Sequence, residues 1–447
     1  MLLQFSVSNY GCFRELQTLN LAASAQDKSL PENCIGRDLP GLQGKRWVKG
    51  AALYGANASG KSTLIQALKA LASLVKDSAK TTDPKDRISQ IEPFALAPGE
   101  PESPTAFAVA FVAEGVRYEY RVAATRERIW HESLRAFPEK REQTWFNRNW
   151  SPERGIYEWT PDRPKGFQRD PQLEGYTLPN MLFLSKAVAS NRMDLEPVFR
   201  WFKERLKFLD LSVRNPFGSG FTLKQIEDQT ELHPKILDLL RHADLGVTDA
   251  RAVERRPPQD ELDVLAASLP PDLQDGFRQR RWVRPELTHR GSGSASVPLP
   301  WESESAGTHR FFAVVGPWLD IMAKGYVVCI DELETSMHPL MVRELLRLMF
   351  SEKANSSGAQ ILFTTHNPLL LDATLMRRDQ VWFTDKTDVG ESHLYPLTDY
   401  APRKAESLIR GYLSGRYGAV PFVPAGLMGE FFPPREETAH MEAVDHE

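Results

Sequence analysis

Gly55-Ala56-Asn57-Ala58-Ser59-Gly60-Lys61-Ser62 decides how this chain is read. It satisfies G-x-x-x-x-G-K-[ST] at every required position. The run Val48 to Tyr54 before it is short and apolar, as a buried strand is. In Ser62 to Val75 after it, Leu64, Ile65, Leu68, Leu71, Leu74 and Val75 recur at helical spacing. A glycine-rich turn between a strand and a helix lets backbone N–H groups wrap a phosphate, and the helix N-terminus adds a favourable dipole. On this reading Gly55, Asn57, Ala58, Ser59 and Gly60 cradle phosphate, Lys61 reaches the β- and γ-phosphates, and Ser62 ligates Mg²⁺. The bland alternative is a chance turn, which the strand–helix context disfavours.

Three further segments carry chemistry. Tyr326 to Ile330 is an uninterrupted apolar run ending in Asp331-Glu332. Such a pair can merely end a strand. Beside a phosphate loop, Asp331 would hold Mg²⁺ through water and Glu332 would polarise the attacking water, because phosphoryl transfer depends on positioning and charge stabilisation. Gln360 to Thr364 is the next buried run, and Thr365-His366-Asn367-Pro368 follows it. A histidine at a strand end is more often structural. One βα unit beyond the Asp-Glu strand, however, His366 is placed to contact the γ-phosphate and the general base. Ser303 to Thr308 opens a helix with small residues, an arrangement suited to anions and also common as a plain cap.

The rest of the chain supplies the frame. Leu2 to Val7 and Gln17 to Leu21 alternate apolar and polar residues, as an edge pair of strands would. Ala106 to Val112 and Val116 to Val122 flank Glu114-Gly115 and read as a hairpin. Gln143 to Arg169 reads as irregular strands and loops. Val198, Phe199, Phe202, Leu206 and Leu209 mark one amphipathic helix; Ile236, Leu239 and Leu240 mark another. Pro285 to Pro300, with Gly291-Ser292-Gly293-Ser294, reads as a flexible connection. Helices are expected over Thr308–Ala323 and Leu340–Phe350, and short strands over Val381–Phe383 and His393–Tyr395. Strands alternating with helices imply an α/β protein with a largely parallel sheet covered on both sides. The expected divisions are 1–165, 166–290 (a mostly helical insertion), 291–425, and a flexible tail over 426–447.

Composition narrows the classes. With 55 basic against 59 acidic residues, the net charge of −4 argues against a surface devoted to nucleic acid. The cysteines, Cys12, Cys34 and Cys329, show no CxxC spacing, which excludes a disulfide framework and disfavours a cysteine-based zinc site. Phe311 to Ala323 is interrupted by Pro317 and Asp320 and is shorter than the ~20 residues of a spanning helix. The expectation is a cytoplasmic protein with reduced thiols and no membrane partner.

Phosphate loop, long insertion, Ser-x-Gly helix, Asp-Glu strand and late histidine, in that order, resemble the ABC-type ATPase head of the SMC, RecF and OLD proteins. The resemblance implies that Ser305-Ala306-Gly307-Thr308 is the signature motif, with Ser305 and Gly307 reading the γ-phosphate bound by an opposite subunit. It makes Leu333 to His338 the D-loop, with His338 in place of the usual aspartate. His366 becomes the switch histidine, and Gln90 the candidate Q-loop ligand of Mg²⁺. Asn9-Tyr10 to Phe13-Arg14, Tyr54 to Ser62, Glu304 to Thr308 and Tyr412 to Pro421 together look like the compact RloA-like ATPases; on that likeness Arg14 and Thr63 join the nucleotide contacts. Proteins of this plan, including the ATPases of PARIS and Septu-type systems, commonly serve antiphage or toxin–antitoxin systems.

The resemblance thus implies ATP and Mg²⁺ as ligands, a homodimer at least, and control of a separately encoded effector, a nuclease. The alternative is a RecF- or SMC-type ATPase that clamps DNA. Arg251, Arg255 and Arg256, with Arg278, Arg280, Arg281 and Arg284, are the basic clusters that such a clamp would use. A charge run is usually a solvated face, so the partner-binding reading is favoured. A nuclease of ~100 residues within the same chain is not expected after His366.

Overall fold

A computed structural model describes residues 1–36, 42–97, 102–139, 141–159, 167–210, 220–243, 245–293, 295–335, 337–403 and 406–420. Strands β1 (Leu2–Ser8), β2 (Gln17–Asn20), β3 (Cys34–Gly36), β4 (Arg46–Val48) and β5 (Gly50–Gly55) lead into helix α1 (Lys61–Asp77). Next come β6 (Thr105–Ala113), β7 (Val116–Ala124), β8 (Ile129–Phe137), β9 (Gln143–Ser151) and β10 (Ile156–Trp159). Short helices α2 (Pro171–Gly175), α3 (Phe183–Ala189) and α4 (Glu196–Arg200) precede β11 (Leu206–Leu209). The chain continues with α5 (Gly220–Glu227), α6 (His233–His242), β12 (Val247–Glu254), α7 (Gln259–Ala267), α8 (Pro271–Gln279), β13 (Val283–Arg290) and β14 (Ser296–Pro300). The last described part holds α9 (Ala306–Lys324), β15 (Val327–Ile330), α10 (Pro339–Phe350), β16 (Gln360–Thr364), β17 (Val381–Lys386), β18 (Ser392–Pro396) and α11 (Leu408–Leu413).

Two sheets organise these elements. The central one runs β11-β15-β16-β5-β17-β18 and is parallel except for the last pair. Its inner strands are buried throughout, as expected of a parallel sheet covered on both faces. Alternate residues of β5 serve the two faces. Leu53 joins Leu64, Leu68 and Leu71 of α1 in one core. Ala52 and Tyr54 join Phe312, Val315 and Trp318 of α9 in the other. The second sheet, β10-β9-β8-β7-β6-β1-β2, is antiparallel and packs its inner face on the α1 side through Phe5, Phe111 and Tyr120. The α/β architecture is therefore that of an ABC-type P-loop NTPase, with an antiparallel β subdomain on the N-terminal side. No helix among the described residues is long and apolar enough to cross a membrane.

The structure departs from the sequence reading in the middle of the chain. The amphipathic pattern from Val198 to Leu209 is not one helix: at Leu206 the backbone turns extended (φ −92, ψ 115), and Leu206–Leu209 pairs in parallel with Val327–Ile330. Val283 to Pro300 is a hairpin and not a flexible connection; with β12 it forms a three-stranded sheet. Gln143 to Trp159 is likewise a regular hairpin. Segment 166–290 is accordingly a mixture of helices and strands, and its first part (Leu182, Phe183, Val198, Trp201, Phe202) lies inside the main core. The expected tail, 426–447, and Pro421 lie outside the described residues.

Candidate functional site

Parallel strands present their carboxyl ends on one edge, and sites form there. Here the order of strands does the gathering. The loop after β5 carries Lys61, the adjacent β16 carries His366, and β15 next to it carries Asp331 and Glu332. Gly55, Ala56, Asn57, Glu332, Glu334 and His366 line one cleft of about 760 Å³.

The phosphate loop has the shape that its sequence implies. A Cβ on Gly55 would stand 2.4 Å from both Ser59 Oγ and Thr384 Oγ1, so nothing larger than glycine fits. Gly60 has φ +105, a conformation that side-chain-bearing residues rarely adopt. Ala58 accepts the left-handed region at φ 60, at a cost of order 1–3 kcal/mol. Ser59 Oγ and Thr384 Oγ1 are 2.6 Å apart, which ties the loop to β17. No side chain caps α1, so its first N–H groups face the cradle. Lys61 is buried, and its Nζ donates to the carbonyls of Gly55 and Ala56, both at 2.9 Å. Burial lowers its pKa, against the opposing charges of Asp331, Glu332 and Glu334.

Behind the cradle lies a carboxylate centre. Ser62 Oγ donates to Asp331 Oδ1 at 3.0 Å, and Thr364 Oγ1 donates to the same oxygen at 2.6 Å. The backbone N–H of Glu332 donates to Thr364 Oγ1 at 2.7 Å. Ser62 and Asp331 are thus hard oxygen donors held side by side, a pair fitted to share a Mg²⁺ shell with phosphate and water. Glu332 sits at φ 50, strained for a non-glycine residue, with its Oε2 accepting from Thr335 Oγ1 at 3.3 Å. His366 is held below the usual imidazole range first by burial and then by the Lys61 charge; Glu334, Glu332 and Asp331 pull the other way.

Other expected residues are placed differently. The turn that carries Arg14 packs on the loop: Cys12 Sγ donates to Thr63 Oγ1 at 3.3 Å and would meet a Cβ on Gly60 at 2.9 Å. Arg14 itself is exposed. Ser305 caps α9, its Oγ accepting from the Thr308 N–H at 3.0 Å. Ser305 and Ala306 are exposed, and neither they nor Gly307 line the cleft. Gln90 is not brought to Ser62 and Asp331. It lines another cavity with Leu74, Asp77 and Asn180 at the far end of α1, so the Mg²⁺ role expected of it is not supported by its placement. The reason is that the chain after α1 begins its return at the C-terminal end of that helix. His338 caps α10, its Nδ1 accepting from the Leu340 N–H at 3.3 Å.

Sequence reasoning missed Thr364 as a hub, and it missed the wall formed by Tyr412, Leu413 and Val420, which lines the same cleft. The hydroxyl that ends the apolar run Ile361 to Phe363 was the available signal for Thr364. Tyr54 was also missed: its ring meets Tyr412 edge-on at 5.5 Å, and its Oη donates to the Asn367 carbonyl at 3.2 Å.

Fold and cleft define an ABC-type P-loop NTPase. A family profile described as "AAA domain, putative AbiEii toxin, Type IV TA system" matches residues 51–372, most of the chain, and the chain belongs to that family. Solved structures with a similar fold include the SMC head domain from Thermotoga maritima, at 12% identity and TM-score 0.40, covering 88% of this chain and 98% of that one. The SmcHead bound to the C-winged helix domain of ScpA is similar at 12% identity and TM-score 0.43, covering 90% and 99%. No curated protein matches the chain.

Proposed function

We propose that this chain is an ATP-hydrolysing switch that self-associates around ATP and controls a separately encoded effector, a nuclease, in antiphage defence or a toxin–antitoxin pair in the cytoplasm. The observation that carries the reading is the division of the site. Lys61, Ser62, Asp331, Glu332 and His366 meet at one sheet edge, while the Ser305 cap is exposed and does not line the cleft there. A second copy would bring its own Ser305 and Gly307 to the open side of the cleft.

In this reading Lys61 leaves the loop carbonyls for the phosphates. Ser62 and Asp331 would hold Mg²⁺, which when bound neutralises phosphate charge. Glu332 orients the attacking water, and His366 contacts the γ-phosphate. Positioning and electrostatics suffice for phosphoryl transfer. Arg14, Asn57 and Thr63 complete the nucleotide contacts.

The insertion supports a protein partner over DNA. Arg251, Arg255, Arg278, Arg281 and Arg284 each face a carboxylate that competes with phosphate for them, while Arg256 and Arg280 make no such pair among the described residues. Val264 and Leu273, on α7 and α8, stand exposed. We assign partner contact to this part of the insertion, and the two head lobes to the segments around it.

Light scattering of Glu332→Gln protein tests the reading. A dimer with ATP and Mg²⁺ that falls apart with ADP is expected. A monomer under both conditions overturns self-association around ATP. Affinity capture of the same ATP-trapped protein should recover a nuclease, and recovery of DNA alone would favour the clamp.

A further inference from the structure

The turn after β15 and the turn after β16 are joined residue by residue. Thr364 Oγ1 donates to Asp331, Glu332 N–H donates back to Thr364 Oγ1, and Leu333 N–H donates to the Thr364 carbonyl at 3.2 Å. The last join is made by a side chain: His366 N–H donates to Glu334 Oε1 at 2.6 Å. On its far side the histidine turn is held by Tyr54 Oη on the Asn367 carbonyl. His366 therefore stands between two clamps, and Glu334 is the one that lines the cleft.

Glu334 does more than a backbone acceptor requires. An amide oxygen would satisfy the His366 N–H with less desolvation cost than a carboxylate. Yet Glu334 Oε2 is buried and has no hydrogen-bond partner. A charged group with one idle buried oxygen is costly unless a donor comes to it during function. Its charge faces Lys61 and His366, and at His366 it opposes the effect of burial.

We propose that Glu334 is the positioning residue of the nucleotide site: Oε1 fixes the His366 backbone, and Oε2 receives one ring N–H of the His366 imidazolium, which leaves the other N–H to donate to the γ-phosphate. Glu334 acts through His366. The inference rests on the ATPase reading above.

The test is a double-mutant cycle on the full chain, with steady-state ATPase rates and Mg·ATP affinity by calorimetry. Glu334→Ala should lower kcat by ~10-fold or more, at the low end of acid–base contributions, with ATP affinity within ~3-fold. Glu334→Gln, which keeps the acceptor and loses the charge, should fall between Glu334→Ala and wild type. In a His366→Ala background, Glu334→Ala should cost nothing further, because residues acting as a unit are not additive. Thermal melting checks that each variant is folded; should Glu334→Ala not fold, Glu334→Gln carries the cycle alone. Full independence of the two substitutions, or wild-type kcat in both Glu334 variants, overturns the inference. Loss in Glu334→Gln as deep as in Glu332→Gln also overturns it, since that makes Glu334 a direct catalytic group. If Lys61→Ala protein hydrolyses ATP normally, the ATPase reading itself has failed, a result distinct from all of these.

Discussion

At the carboxyl edge of the central sheet, Asp331 takes hydrogen bonds from Ser62 and Thr364, which come from two other elements of the chain. Around α7, α8 and β12, Arg278 and Arg281 each face two carboxylates near solvent, as Asp263 and Asp275, and Glu227 and Glu254, surround them. Both regions are rich in charge, but the charges are held differently. At the edge, buried strands fix the backbone and leave a carboxylate one geometry. Around α7, α8 and β12, long side chains share solvent with their partners, and such pairs contribute about 0–1 kcal/mol each. The first arrangement is the kind that positions reacting groups, and the second the kind that keeps a surface solvated.

The largest effect expected from breaking this contrast is at Lys61. Lys61→Ala should abolish ATP binding and hydrolysis while the protein stays folded, since the lysine spans the cradle and adds little to either apolar core. Calorimetry with Mg·ATP and a circular dichroism melt read both halves of that statement. Normal turnover would mean that the cradle does not bind the nucleotide.

Glu332→Gln comes next. Glutamine keeps the shape and removes the carboxylate, so ATP should still bind while kcat falls by ~10²-fold or more. A near-normal rate would shift the base to His366 or Glu334.

Ser305→Arg tests the part of the site that lies outside the cleft. Binding of ATP by a single chain should survive, and ATP-driven dimerisation and hydrolysis should be lost. Mixing it with Lys61→Ala protein should restore part of the rate, because one composite site in the mixed dimer is intact. ATP and self-association should strengthen each other by the same factor. Full activity of Ser305→Arg as a monomer would leave a self-contained P-loop ATPase.

A smaller effect follows from His366. Its native pKa lies below the ordinary histidine value of about 6.5. The unfolded chain therefore binds more protons in that window, and stability is present above the ordinary value and lost as pH falls through the native one. The difference in melting temperature between wild type and His366→Gln should shrink as the pH is lowered from 7.5 to about 5. A difference that grows on acidification would reverse the sign assigned to burial. Smallest of all, Arg278→Ala should change stability by no more than about 1 kcal/mol, and should leave ATPase activity unchanged.

Much of the site was legible because its chemistry is local. The loop from Gly55 to Ser62 needs glycine where a Cβ would clash and where φ is positive, and both demands fall within eight residues. The apolar runs before Asp331 and before His366 likewise announce buried strands with polar ends. Gln90 has only its place in a familiar order to recommend it, and no local feature shows that the chain leaves it at the far end of α1.

The α/β class, the phosphate loop, the Asp-Glu strand end and the candidate signature cap are written in the order of residues, because each depends on contacts between near neighbours or on a repeating apolar pattern. Tertiary structure decided the rest. Leu206 to Leu209 became a strand because β15 offered its open edge, and a short apolar run carries no preference strong enough to resist that pairing. Val283 to Pro300 became a hairpin for the same reason, with β12 as its neighbour. The joins of Thr364 to Asp331 and of His366 to Glu334 link residues more than thirty positions apart. Strand order alone brings them within hydrogen-bond reach, and strand order is set by how two cores pack against one sheet.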